Sequence, residues 1–354
     1  MVERKTKGRA KVARVTIKDI ARTARVTPTT VSNVINGRHA RVSKKTIQHV
    51  RQVVAHLGYT PNQTARSLVS SVSKLVGVLI PFTEDRNKLL LDNPFYGEMV
   101  SGIESSLRAN GYHMMLAGID EGNIDLAPFL QWNVDALIVL GVYQDLLYSS
   151  VRSLDLPTLL IDSYVRDDHF FNLRLDDKLA AHQATTHLID NGHRRISFVA
   201  GAIREDGVIA RRHEGYRAAL SERGIAYDPD LVFTGSVSFD YGKKVASAIA
   251  SDPSITAAFC AADLIATGLM SGLQMEGRRI PEDISVMGFD NISIGKMLYP
   301  ALTTVDQGIL ARGESAGSLI TSALAGQAVP KDMRTPTTII ERASVATIGN
   351  ARRG

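Results

Sequence analysis

Two hydrophobic rhythms divide the chain. As far as about residue 59, apolar positions recur every three or four residues, the repeat of helices with one buried face. In IKDIARTA, Ile17, Ile20, Ala21 and Ala24 share a face; Thr16 stands at the N-cap position, and Asp19 lies in the first turn, where the helix dipole favours an acid. VTPTTVSNVIN follows, with Thr27 as N-cap, Pro28 at the first helical position, and Val31, Val34 and Ile35 as its apolar face. RVSKKTIQHVRQVVAHLGY supplies a third helix, capped by Ser43, lined by Ile47, Val50, Val54 and Leu57, and stopped at Gly58. Two short helices joined by a tight turn at Arg25-Val26-Thr27, then a third, make a helix-turn-helix unit.

From Leu75 the rhythm changes. KLVGVLIP, YHMMLAG, DALIVLG and LPTLLID, then RISFVAG, AAFCAAD and ISVMGFD, are short continuous apolar runs. Helical stretches separate them, among others at 177–191, 209–223, 241–251 and 264–277. Such strands are apolar on both faces, which predicts parallel sheets covered by helices. Two series predict two doubly wound subdomains, with a ligand cleft at the carboxyl ends of the strands. The expected organisation is a basic tail at 1–14, a small all-α headpiece at 15–59, a hinge helix and linker at 60–74, and an α/β body at 75–354. Within the body the N-subdomain takes about 75–175 and 305–332, and the C-subdomain about 176–304 and 333–349.

Charge sharpens this division. The net charge of +5 conceals 16 Lys and Arg against 2 Asp and Glu in residues 1–74, and 25 against 34 in the remainder. A strongly basic small segment on an acidic body points the small segment at a polyanion. Arg4, Lys5, Lys7, Arg9, Lys11 and Arg14 read as a flexible tail, but the other ten basic residues before Leu75 are spread through helical patterns. On the second helix, Thr29, Thr30, Ser32, Asn33 and Asn36 lie outward or at the rim, and no Lys or Glu falls between Val26 and Asn36. An ordinary solvated face carries both. Hydroxyls can donate or accept, threonine methyls can touch a thymine methyl, and asparagine can pair bidentately with adenine. The helix is therefore expected in a DNA major groove with its N-terminal residues at base edges.

VTIKDIARTARVTPTTVSNVINGRHARVSKKTIQHVRQVVAHLGYTPNQTARSL resembles, over its full length, the headpiece of the lac repressor/gal repressor (LacI/GalR) family of bacterial transcription regulators. NPFYGEMVSGIESSLRANGY, HLIDNGHRRISFVAG, RRHEGYRAAL, VMGFDNISIG and YPALTTVDQ look like segments of the family's body, so the resemblance runs from about Val15 to Val345. It implies a periplasmic-binding-protein-like body, operator DNA and a small-molecule effector as partners, and a homodimer; the cytoplasmic location is expected from the lack of a signal or spanning run. It places Pro28, Thr29 and Asn33 at the main base-reading positions. Pro28 departs from the usual pattern and offers only apolar contact, and NGRHARVS is about one residue longer than in most relatives. Thr16 and Arg66 join the DNA-facing set. TPNQTARSLVSSVSK corresponds to the family's hinge helix, too short to persist alone. In the family it folds when two copies meet over the minor groove, each wedging a leucine between base pairs, and Leu68 stands at that position.

For the effector, the resemblance implies Phe95, Tyr96, Asp162, Arg212 and Asp263, with Asp263 also able to cap the helix that it opens. Arg212 and Asp263 read as a charged fork and a paired acceptor. Ala262 replaces the asparagine usual before Asp263. Val237 stands where purine-responsive relatives carry a stacking ring, with Phe239 two residues on, which favours a sugar or related metabolite over a purine. The tail ERASVATIGNARRG has no leucine heptad of the kind the family's tetramers use, so a dimer is expected.

Enzyme chemistry finds little footing. GESAG at 313–317 satisfies G-x-S-x-G, but it lies in a helical stripe of Ile309, Leu310, Gly313, Ala316, Ile320 and Leu324, without the sharp turn that exposes a nucleophile. His182 and His187 are five apart, not the four of helical zinc ligands, and there is no Walker loop or G-x-G-x-x-G after a strand. Cys260 is the only cysteine, which excludes an internal disulfide or a cysteine-built zinc site. No apolar run reaches about 18 residues, and no apolar stretch of a secretory signal follows the basic N-terminus. Neither cofactor, metal nor membrane is expected. The competing class is a small-molecule-binding protein for uptake or hydrolysis, its headpiece incidental; deleting residues 1–74 separates the two.

Overall fold

The computed structural model describes residues 15–59, 72–82, 89–120, 123–141, 146–165 and 167–348. The chain forms two compact units, Met1–Ser73 and Lys74–Gly354. The basic tail and the expected hinge helix, with Arg66 and Leu68, lie outside the described residues.

In the first unit, α1 (Ile17–Ala24), α2 (Pro28–Ile35) and α3 (Lys44–His56) follow the apolar spacing closely. Thr16 and Asp19 form a reciprocal capping box, Thr27 Oγ1 accepts from Thr30 N, and Ser43 Oγ accepts from Thr46 N. Arg25, at φ 52°, ends α1 in a left-handed turn. Ile20, Ala21, Ala24, Val31, Val34, Val50 and Val53 close into the core.

The second unit has two lobes. In the N-lobe, β1 (Leu75–Phe82), β2 (His113–Asp120), β3 (Ala136–Leu140), β4 (Thr158–Ile161), β5 (Phe171–Arg174) and β11 (Asp332–Arg334) form a parallel sheet in the order β11-β5-β4-β3-β1-β2. In the C-lobe, β6 (Ile196–Gly201), β7 (Val232–Gly235), β8 (Ala257–Cys260), β9 (Ser285–Asp290), β10 (Thr303–Asp306) and β12 (Thr338–Ile340) run β12-β10-β9-β8-β6-β7, with β12 alone antiparallel. The helices are α4 (Pro94–Ala109), α5 (Ala127–Gln131), α6 (Leu146–Arg152), α7 (Asp177–Asp190), α8 (Val208–Glu222), α9 (Phe239–Ala250), α10 (Asp263–Met275) and α11 (Ile309–Leu324).

Each sheet reverses its strand order once, at β1/β3 and at β6/β8. In doubly wound folds a crevice opens beyond the strand ends at such points. The lobes exchange chain slightly off the expected boundaries. Val305 and Asp306 pair with β9 in the C-lobe, whereas Met333 and Arg334 pair with β5 in the N-lobe. Ladder hydrogen bonds, which no apolar run announces in these short strands, decide the crossing points.

The GESAG stretch is helix packing. A Cβ on Gly313 would lie 2.4 Å from Met99 O, and one on Gly102 would lie 2.3 Å from Leu310 O, so the two glycines let α4 and α11 touch. Ser315 is half-buried mid-helix and donates to Ala311 O at 2.8 Å.

His193 ties the end of the described chain to the C-lobe. Its Nδ1 lies 3.1 Å from Thr256 Oγ1 and its Nε2 3.1 Å from Ala346 O. Burial holds its pKa below the ordinary 6.5. The neutral ring is the folded form, so its contribution is complete above pH 6.5 and is lost as pH falls through the depressed folded value. The urea midpoint should therefore drop between about pH 7.5 and 5.5, and less so in His193→Gln. An unchanged slope in the variant would assign the effect to other groups such as His213, which burial also lowers.

Candidate DNA-facing helix and ligand cleft

On α2 the buried Val31 and Val34 turn the polar residues away from the core. Pro28, Thr29 and Asn36 are exposed; Thr30, Ser32 and Asn33 are half-buried. Several of these groups are already committed. Thr30 Oγ1 lies 2.9 Å from Thr27 Oγ1, and Asn36 Nδ2 donates to Ser32 Oγ at 3.2 Å. Asn33 makes no side-chain hydrogen bond among the described residues, which leaves a full carboxamide for an external edge. Thr16 is exposed, but its hydroxyl is engaged with Asp19, and that contact, first of all, holds the Asp19 carboxyl below its ordinary range. Between residues 15 and 59, eight Lys and Arg stand against Asp19 alone.

The second site lies between the lobes, a cavity of about 370 Å³. Ile80, Pro81, Leu140 and Gly141 reach it from the ends of β1 and β3, and Ala261 and Ala262 from the end of β8, the switch points of the two sheets. Phe95 and Tyr96 come from the start of α4, which Asn93 caps and Pro94 opens. Their rings meet edge to face at 5.3 Å. Val237, Ser238, Phe239 and Asp240 enter from the start of α9. Four of the sequence-expected residues therefore share this wall: Phe95, Tyr96, Asp162 and Arg212.

Arg212 is the buried cation of the cleft. Its Nε donates to Asp177 Oδ1 at 2.8 Å and its Nη1 to Ala261 O at 2.6 Å; Asp290 Oδ1 is 3.9 Å from Nη1, and the guanidinium lies 3.7 Å over the Phe289 ring. Burial opposes its charge, but Asp177 and Asp290 hold its pKa above the ordinary value. Tyr164 donates to Asp177 Oδ2 at 2.8 Å. Gln307 Nε2 donates to Asp290 Oδ1 at 2.6 Å, and Arg312 donates to both Gln307 Oε1 and Asp162 Oδ1. The polar residues make a ring: Tyr164, Asp177, Arg212, Asp290, Gln307, Arg312 and Asp162, the last only two residues before the first.

Asp263 stands apart from the cavity wall, correcting its expected place there. It is fully buried at the first position of α10, one residue past the N-cap Ala262. Its Oδ1 accepts from Thr304 Oγ1 at 2.6 Å and its Oδ2 from Ile292 N at 3.0 Å. A Cβ on Gly288 would lie 2.0 Å from Asp263 Oδ1, so the strand beside it is bare to admit the carboxylate. Desolvation raises its pKa to about 6. The acceptor that faces the cleft is Asp290, which ends the apolar run ISVMGFD. That ending was the available signal, since ligand-facing residues gather at the carboxyl ends of parallel strands. Gln307, in the crossing segment after β10, carried no signal of its own.

A headpiece with an outward amide and hydroxyl face, carried with a two-lobed body around a cavity of apolar walls and a few placed charges, defines a ligand-responsive DNA-binding regulator. Residues 16–62 match the bacterial regulatory proteins, lacI family, and residues 185–345 the periplasmic binding protein-like domain. The chain is 33% identical over 297 residues to the ribose operon repressor of Haemophilus influenzae, spanning 82% of this chain and 86% of that protein. It is 32% identical over 300 residues to the HTH-type transcriptional repressor PurR of Aliivibrio salmonicida, spanning 82% and 87%. A solved complex of the transcriptional regulator CelR with cellobiose superposes with a TM-score of 0.68 at 28% identity, over 94% of this chain and all of that one. The chain belongs to the lacI family of bacterial regulatory proteins.

Asp263→Ala should leave Thr304 Oγ1 and Ile292 N without their acceptor and cost about 2–4 kcal/mol of folding stability, read from urea unfolding. A fully stable variant would return Asp263 to the ligand wall.

Proposed function

We propose that the chain is a transcription regulator of the repressor type. It binds a pseudo-palindromic operator as a homodimer through α2, and a small molecule in the inter-lobe cleft, a sugar or related metabolite, switches it. The observation that carries the reading is the pairing, in one chain, of the unengaged Asn33 amide on a basic headpiece with a cavity at both sheets' switch points, apolar-walled and carrying Asp162, Arg212, Asp290 and Gln307. Two relatives point to small molecules of different kinds, one named for a ribose operon and one for purines, and the solved neighbour holds cellobiose. Val237 and Phe239 both reach the wall, so the segment expected to stack on a purine presents valine where that ring would be. This favours the sugar reading.

Dimerisation is supported by exposed apolar side chains on the C-lobe. Tyr299 is 94% exposed, Met297 73% and Met275 70%, and Gln274 Nε2 donates to Tyr299 O at 3.1 Å, which places them together. Clusters of this kind mark association surfaces. The relatives named above are repressors, and among the described residues no helix is long and apolar enough to cross a membrane. A cytoplasmic location follows from DNA as partner.

Operator sequences can be selected from random duplexes with the purified protein. Asn33→Ala should then lose discrimination at one position per half-site, about 1–3 kcal/mol. An equal loss on every duplex would make Asn33 a phosphate contact, and no selected sequence at all would overturn the reading. Affinity should fall steeply between about 50 and 200 mM salt, through release of counterions from phosphate. Sedimentation equilibrium should give a dimer, and Tyr299→Asp should weaken it; a wild-type monomer at micromolar concentration contradicts the assembly proposed.

A further inference from the structure

Arg312 is a buried cation that the reading above does not use. It projects from α11, its side chain is 1% exposed, and it is not part of the cavity wall. Its Nη1 donates to Gln307 Oε1 and its Nη2 to Asp162 Oδ1, while its Nε is buried without a partner among the described residues. A buried guanidinium with an unsatisfied donor is costly, and an apolar side chain of similar volume would fill such a place at least as well. Packing alone is a poor reason for an arginine here.

Its contacts supply a better one. Because Arg312 holds the Gln307 oxygen, the Gln307 NH₂ group is turned to Asp290, whose Oδ1 it meets at 2.6 Å. Arg312 also holds Asp162 from below. Both held carboxylates line the cavity, and both sit on backbone of positive φ, 56° at Asp162 and 130° at Asp290. Such strain persists where the surroundings over-determine a residue's direction. At the rim Asp92 and Asp240 are exposed. Among the described residues that line the cavity, these four carboxylates face one cation, Arg212, which already serves the buried Asp177. An incoming phosphate or carboxylate meets like charge; an incoming hydroxyl meets acceptors.

Resting on the proposed effector role of this cleft, we infer that Arg312 is a positioning residue that sets effector selectivity. From beneath the cleft it fixes Asp162 and Gln307, so that the floor accepts hydrogen bonds from an uncharged polyol and rejects its phosphorylated or carboxylated counterpart.

The test uses the full chain and matched pairs: neutral mono- and disaccharides, alditols and nucleosides, each with its phosphate ester or aldonic acid. Thermal shift finds binders and calorimetry gives affinities. In the wild-type protein a neutral member should bind at least about tenfold more tightly than its charged counterpart. Arg312→Leu should weaken that neutral ligand about tenfold or more at pH 7. Arg312→Leu should also reduce the discrimination against the charged counterpart, because Asp162 and Gln307 lose the donor that directs them. Arg312→Lys keeps a cation beside Asp162 and should restore part of both the affinity and the discrimination. A merely structural arginine would weaken both members of a pair by the same factor and leave the ratio between them unchanged. Should Arg312→Leu fold poorly, Asp162→Asn removes the held charge at constant volume and should weaken the neutral ligand similarly. Any pair in which the charged member binds as well as the neutral one, a panel with no neutral binder, or an Arg312→Leu protein that binds like wild type overturns the inference. Operator affinity by fluorescence anisotropy is read in parallel. Operator binding with an anionic effector sinks this inference alone, whereas absence of operator binding sinks the functional reading.

Discussion

Arg212 keeps a guanidinium charge almost wholly buried at the cavity wall, and three distant stretches of chain converge to allow it. Asp177 arrives at the start of α7, Ala261 O from the end of β8, and Asp290 from the end of β9. An unpaired ion at this depth would cost several kcal/mol, so none of the three can drift without exposing the others. The cleft floor is thus fixed by electrostatics as much as by packing. The same group closes the ring through Tyr164 and Gln307 to Asp162 and Arg312, residues of the N-lobe and its crossing segments. A ligand entering between the lobes meets groups already bonded to both, which gives cleft occupancy a route to the angle between them.

The carboxylates of the floor illustrate how burial sorts similar residues into different tasks. Asp263 and Asp290 are both buried, and desolvation raises the pKa of each. Asp263 spends its oxygens on Thr304 and a backbone amide, so it fastens β10 and the segment after β9 to α10. Asp290 is turned outward to the cavity by a left-handed backbone and held there by Gln307. One carboxylate holds the wall and the other faces the cavity.

The headpiece works by a simpler division. Seven small or β-branched side chains make its core, and that leaves the polar face of α2 without a structural task beyond local caps. A helix of eight residues gains little from propensity alone, so its orientation rests on Val31 and Val34 packing against α1 and α3. Stability and recognition thereby occupy opposite faces of one short element.

The helical periods, the caps at Thr16, Thr27 and Ser43, and the long apolar strands were legible in the sequence because each depends on residues close together in the chain. The two-series pattern gave the doubly wound architecture and hence the cleft's place, whereas Phe95, Tyr96, Asp162 and Arg212, which line the cavity, came from the family resemblance. β5, β7, β10, β11 and β12 were not, since strands of three or four residues such as DMR and TTVD are specified by the neighbour they pair with. For the same reason the lobe crossings shifted by about two residues. Which aspartate faces the cavity, and that Gln307 and Arg312 join its polar network, depended on side chains up to 150 positions apart meeting where little water reaches. Local pattern fixes what a segment becomes; only burial decides which charges must find each other, and that is a property of the folded chain.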